Sequence, residues 1–112
     1  MVNQELIHLE EREGFTIHCY AQEEDISPEG HFASGDDAAD AEIIRKIANA
    51  DLAWFCAHVT ASKEGIVLGS DYLGACCYKS TQDFITSNDY YADMVEEVIQ
   101  QAKTTLKKLC AA

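Results

Sequence analysis

Between residues 23 and 42 the chain places eight carboxylates, Glu23, Glu24, Asp25, Glu29, Asp36, Asp37, Asp40 and Glu42, with no lysine or arginine among them. Carboxylates at this density can ligate a divalent cation, solvate a surface, or meet a cationic partner. The first option has a definite pattern to satisfy. Counting from Asp25, oxygens fall at loop positions 1, 3, 5 and 12, on Asp25, Ser27, Glu29 and Asp36, and Gly30 takes position 6, as in an EF-hand calcium loop. Against it, position 12 is the shorter Asp in place of a bidentate Glu, and Pro28 stiffens position 4. The segment before the loop also reads as a strand, where an EF-hand needs a helix.

Other chemistries find less. Tetrahedral zinc sites use closely spaced Cys and His ligands, and no CxxC, HxxxH or HExxH occurs among the five cysteines and four histidines. A cysteine nucleophile needs a neighbouring His or a helix N-terminus to lower its thiol pKa. Cys56, two residues from His58 on one strand face, is the single pairing of that kind, and ordinary core packing explains it equally well. The segment GSDYLG lacks the lysine of a phosphate-binding loop. The residues therefore point to no enzyme, no catalytic group, no cofactor and no metal.

What remains is charge. Twenty acids against eight bases give a net charge of −12 in 112 residues. The bias is uneven, with thirteen acids and three bases in residues 1–60. Such a chain repels nucleic-acid phosphates and anionic membranes, both of which need lysine and arginine to displace counterions. It attracts basic surfaces, with a salt-sensitive association rate. Asp51, and a glycine-flanked tip at Asp71 and Tyr72, add candidate contacts on exposed-looking turns. No apolar run approaches the length that spans a bilayer, and no signal peptide is visible, so a cytoplasmic protein with reduced thiols is expected.

These groups need a scaffold, and the patterning describes one domain over residues 1–112. QELIHLEE and FTIHCYAQ flank REG, where Gly14 can take a positive φ, so they predict a hairpin. Alternation places Ile7 and Leu9 with Phe15, Ile17 and Cys19 on one face, and His8 and His18 on the other. A flexible acidic loop is expected at about residues 24–35, from Pro28, Gly30, Gly35 and the serines. The run SGDDAADAEIIRKIANA then predicts a helix, capped by Asp36 or Asp37, with Ala39, Ile43, Ile47 and Ala50 as its apolar stripe. LAWFCAHVTAS, apolar on both sides, predicts a central strand. After a turn at KEG, IVLGSDYLGACCY predicts one or two strands bent or bulged at Gly69 and Gly74. STQDFI reads as a short capped turn. NDYYADMVEEVIQQAKTTLKKL predicts a long helix with Tyr91, Val95, Val98, Ala102 and Leu109 along one face. The result is an α+β fold in ββ-α-ββ-α order, a small antiparallel sheet with two packed helices.

The blocks ASGDDAADAE, LAWFCAHVTAS, GSDYLGACCYKSTQDF and DYYADMVEE together resemble a group of short acidic proteins encoded by bacteriophages and mobile elements of Gram-negative bacteria. The resemblance covers roughly residues 33 to 100 and carries no catalytic signature. It implies a phage-type accessory role, and small acidic phage proteins, anti-CRISPRs among them, act by occupying basic nucleic-acid sites. The expectation is thus an inhibitor whose acids, Glu23 to Glu42 with Asp51, mimic nucleic acid on a basic surface of a host nucleic-acid-binding protein. The alternatives are a structural or assembly module that binds its partner through an apolar patch near Tyr72 or Tyr90, and a calcium-binding loop protein; a homodimer is a separate option for the partner.

Overall fold

A computed structural model of the chain describes residues 4–24, 37–87 and 89–110. They form an α+β fold in which four antiparallel strands make one meander, in spatial order β1-β2-β3-β4. Strands β1 (Gln4–Arg12) and β2 (Phe15–Gln22) precede helix α1 (Asp37–Ala48), followed by β3 (Ala53–Lys63), β4 (Ile66–Tyr78), α2 (Thr81–Ser87) and α3 (Tyr90–Cys110).

Both hairpins turn on the same dipeptide. Glu13-Gly14 joins β1 to β2 and Glu64-Gly65 joins β3 to β4, with φ of 53° and 84° in the first and 53° and 80° in the second. Two successive positive φ values match the right-handed twist of the flanking strands, and glycine takes the second at no steric cost.

One layer of core lies between the sheet and α3. Phe15, Ile17, Cys19, Phe55, Ala57, Val59 and Cys76 point from the strands toward Tyr91, Met94, Val95, Val98, Ile99 and Ala102 of α3. Gly69 lets β4 approach the helix: a Cβ built there would overlap the Val98 carbonyl oxygen and stand 3.0 Å from Gln101 Cβ. The expected face of α3 is correct except at Leu109, which is 63% exposed in the last turn.

Three expectations need correction. The chain has three helices among its described residues, since STQDFI is the helix α2, whose Phe84 is buried against Phe55 and Tyr91. Seven residues are too few to display a helical period, so the sequence shows only the turn. The expected packing of the first helix also differs. The helices that pack on the sheet are α2 and α3, whereas α1 makes no extensive contact with the other described elements. Ile43 and Ile47 of its expected stripe are half-buried, while Ala39 and Ala50 are exposed. Ala50 instead ends the helix. It adopts φ 63°, and the bonds Asp51 N–H to Lys46 O and Ala50 N–H to Ile47 O close a Schellman cap in which alanine holds the usual glycine position.

The third correction lies in β1. The register passes from Leu6↔Tyr20 to His8↔Cys19, so Ile7 is an inserted residue and the strand bulges. One extra residue sends all later side chains to the opposite face. His8 therefore turns to the helix side, edge-on to Tyr91, and Leu9 turns outward beside His18. The glycine-linked irregularities expected in β4 are present as two register shifts, one at Gly74–Ala75 and one at Leu68 next to Gly69.

Candidate functional site

Of the eight carboxylates that the sequence gathers, the side chains of Glu23, Glu24, Asp40 and Glu42 are described. Asp25, Glu29 and Asp36, and with them the calcium-type loop, lie outside the described residues, as does the side chain of Asp37. Glu23 and Asp51 are exposed. Asp40 is 9% exposed, too buried to present its charge broadly. Glu42 is exposed but engages Arg45, which donates to both of its oxygens from one helical turn away. That pairing lowers the Glu42 pKa and raises that of Arg45. Glu24 reaches across to the β4 bulge, where it accepts the Ala75 N–H. Ala75 has φ 56° there, a left-handed conformation that a non-glycine residue holds only when neighbours fix it. Asp71 is half-buried and accepts the N–H of Tyr72 at 3.0 Å.

A second acidic array was not singled out from the sequence. Between Lys79 and Lys103 lie five carboxylates and no base. Asp93, Glu96 and Glu97 are exposed along the first half of α3, and Asp89, also exposed, lies one residue before it. Residues four apart rise about 6 Å along a helix, so Asp93 and Glu97 lie about one turn apart on α3. The signal in the sequence was the base-free interval combined with helical spacing. Among the described residues, the Lys or Arg ion pairs are Glu10–Arg12, Glu42–Arg45 and Glu13–Lys103. Much of the surface carboxylate therefore has no basic partner described for it.

On the face of the sheet away from α2 and α3, the fold assembles a row of rings. His18 and Tyr20 of β2 lie parallel at 5.9 Å, Tyr20 meets His58 of β3 at 5.7 Å, and His58 stacks on Tyr72 of β4 at 4.1 Å and 4°. Cross-strand pairing brings His58 and Tyr72 directly opposite each other, the closest arrangement a sheet offers two rings. His58 Nδ1 lies 3.2 Å from the side-chain oxygen of Gln4, and burial lowers its pKa, so the ring is neutral at physiological pH. Trp54 and Cys56, half-buried, continue the same face toward the far end of β3.

Cysteine chemistry gains nothing from this geometry. The described contacts of His58 are to Gln4 and to the two tyrosines, while Cys56 Sγ accepts from Gln22 Nε2 at 3.8 Å. Burial pushes the Cys19 thiol to about 12 and that of Cys76 to about 11, which leaves both protonated. None of the five cysteines is in a disulfide. Among the described residues, no group of three or more His, Cys, Asp or Glu side chains is placed to hold a metal ion. A hollow of about 330 Å³ beside the β4 bulge is lined by Leu73, Gly74, Cys77, Tyr78 and Tyr90, mostly apolar and open.

One polar cluster lies on the core side. Glu10 accepts from Tyr91 Oη at 2.6 Å and from His8 Nε2 at 3.0 Å, and Arg12 Nη2 stands 2.7 Å from its other oxygen. Burial raises the Glu10 carboxyl, but the two hydrogen bonds and the guanidinium outweigh it and leave its pKa below the ordinary value. Burial, with the bond to Glu10, pushes the Tyr91 phenol up. With every member paired, the cluster fastens β1 to α3. No helix among the described residues is long and apolar enough to cross a membrane. Set against protein-family models, curated proteins and solved structures, the chain matches none of them.

Proposed function

We propose that this chain is a small, non-catalytic, phage-type accessory protein that binds a basic surface of a host nucleic-acid-binding protein in the host cytoplasm and blocks it, in the manner of an anti-CRISPR. The observation that supports this reading is the charge of −12 on a scaffold where few described carboxylates meet a lysine or arginine. Unneutralised acids self-repel and cost stability, and a cationic partner recovers that energy on binding. The contact surface is wider than the expected set Glu23 to Glu42 with Asp51, Asp71 and Tyr72. Asp93, Glu96 and Glu97 add exposed charge on the first half of α3, with Asp89 just before it.

Capture from a bacterial lysate tests this, run at about 0.1 M and about 1 M salt, between which the Debye length falls from about 10 Å to about 3 Å. The expected result is a basic nucleic-acid-binding protein retained at low salt, released at high salt, and displaced by added duplex DNA. The triple reversal Asp93→Lys, Glu96→Lys, Glu97→Lys should weaken capture without unfolding the domain. Capture that resists salt, DNA and the reversals alike rejects the proposal.

A further inference from the structure

We propose that the open face of the sheet is a self-association surface, on which a second copy of this chain docks face to face. Leu6, Leu9, Val67 and Tyr72 are 47%, 55%, 59% and 56% exposed. The strand register puts all four on the side away from α2 and α3, around the ring row of Tyr20 and His58. Helices α2 and α3 lie on the other side, and α1 makes no extensive contact with the strands. The rings are stacked on one another already, so little side-chain freedom is lost when they are covered.

Charge identifies the occupant. On a chain of −12, the carboxylate that the register places on this face is Glu11, at its margin, where it accepts from Thr16 Oγ1 at 2.8 Å. Among the described residues, the register places no lysine or arginine on this face. A nucleic acid finds no cation here, and a basic protein finds no row of acids. An uncharged surface that mixes leucine, valine and tyrosine with the glutamine, histidine, threonine and serine that the register also places here is what fits, and a two-fold axis supplies that surface from a second copy without any new chemistry. Two −12 molecules repel, so this charge-poor face is also where their close approach costs least.

The sheet edges argue the same way. An exposed strand edge invites pairing with another chain. Here three outward groups of β4 are occupied: Gln101 Oε1 accepts the Ser70 N–H at 3.0 Å, Thr105 Oγ1 donates to Leu68 O at 3.2 Å, and Asp71 takes the Tyr72 N–H. On β1, Gln82 Nε2 donates to Ile7 O at 2.7 Å. Side chains of α2 and α3 thus occupy part of each rim, which opposes edge-to-edge growth and favours the open face as the route to a second copy. Its size sets the strength. Four strands about 4.8 Å apart, over about seven residues rising about 3.3 Å each, span roughly 400 Å². A standard interface takes about 800 Å² per partner, so the dimer is weak and reversible.

Sedimentation equilibrium at pH 8, from about 10 μM to about 1 mM protein, at about 0.1 M and about 1 M salt, tests the inference. A monomer–dimer equilibrium that tightens several-fold at high salt is expected, because screening removes the repulsion between copies. Leu9→Lys should leave monomer at all concentrations with an unchanged melting curve, and Tyr72→Lys should leave monomer with a lowered melting temperature, because it removes the ring stacked on His58. Should Tyr72→Lys fail to fold, Leu9→Lys carries the test. Monomer throughout for the parent chain, or a dimer that survives both substitutions, overturns the inference. Salt acts here in the opposite direction to its effect on capture of a basic protein, so failure of one reading is distinguishable from failure of the other.

Discussion

Replacing Tyr91 by Phe removes a single oxygen from the join between α3 and β1. The phenol is buried, and its hydroxyl donates to the Glu10 carboxylate at 2.6 Å. Phe keeps the ring against Phe84 and His8, so no cavity of consequence opens. A hydrogen bond to a charged group contributes about 1.5–3 kcal/mol. The lower end applies, because the Glu10 side chain is 20% exposed and keeps Arg12 and His8 as partners. We expect a loss of about 1.5 kcal/mol at pH 7, which for a chain of this length lowers the melting temperature by about 6 °C. The pH dependence makes the test specific. Glu10 has a folded pKa below its ordinary value of 4.5, so the stability it contributes is present above that value and is lost as pH falls through the lower folded value. The deficit of Tyr91→Phe should therefore shrink as Glu10 protonates. Urea unfolding at pH 7 and at about pH 3 measures both deficits. A deficit under about 0.5 kcal/mol at pH 7, or one equal at the two pH values, would refute the assigned role of this bond.

Two further outcomes follow from the packing. Gly69→Ala drives a methyl into the Val98 carbonyl, and with overpacking costing about 1–3 kcal/mol, thermal unfolding should show a loss near the upper end; an unchanged melting temperature would contradict the close approach of β4 to α3. His58 has its pKa lowered by burial, so the neutral ring is the folded form. The stability it contributes is present above 6.5 and is lost as pH falls through the lower folded value. His58→Phe keeps a ring against Tyr72 and should flatten urea midpoints between about pH 7.5 and pH 5, whereas parallel profiles would exclude this histidine as the source.

Local chemistry made the hairpins and the long helix readable. Glu-Gly at both turns, period-2 alternation in β2 and β3, and the stripe from Tyr91 to Ala102 each arise from neighbours in sequence. The β1 bulge was not readable, because Ile7 carries no glycine or proline to mark an inserted residue. Its insertion reversed the expected roles of His8 and Leu9, and so hid both the Glu10 cluster and the leucines of the open face. The candidate site suffered from the same limit. Eight acids adjacent in sequence suggested one charged face, yet Glu24 folds back onto β4, Asp40 is buried and Glu42 takes Arg45. The acidic array from Asp89 to Glu97 stayed hidden because its members are spread over nine residues and separated by core side chains. Pairwise stacking of His58 on Tyr72 depends on strand register, which no single segment encodes.

The rim caps on β4 come from Gln101 and Thr105, which the ribosome makes well after the strand they protect. During synthesis β3 and β4 can pair as soon as Glu64-Gly65 turns, while one margin of the sheet still offers bare N–H and C=O groups. Until the C-terminal helix docks, the nascent chain is open to pairing with its neighbours on a polysome, and its abundant like charge is then its main defence against that. The final helix thus finishes the core and closes this window in a single step.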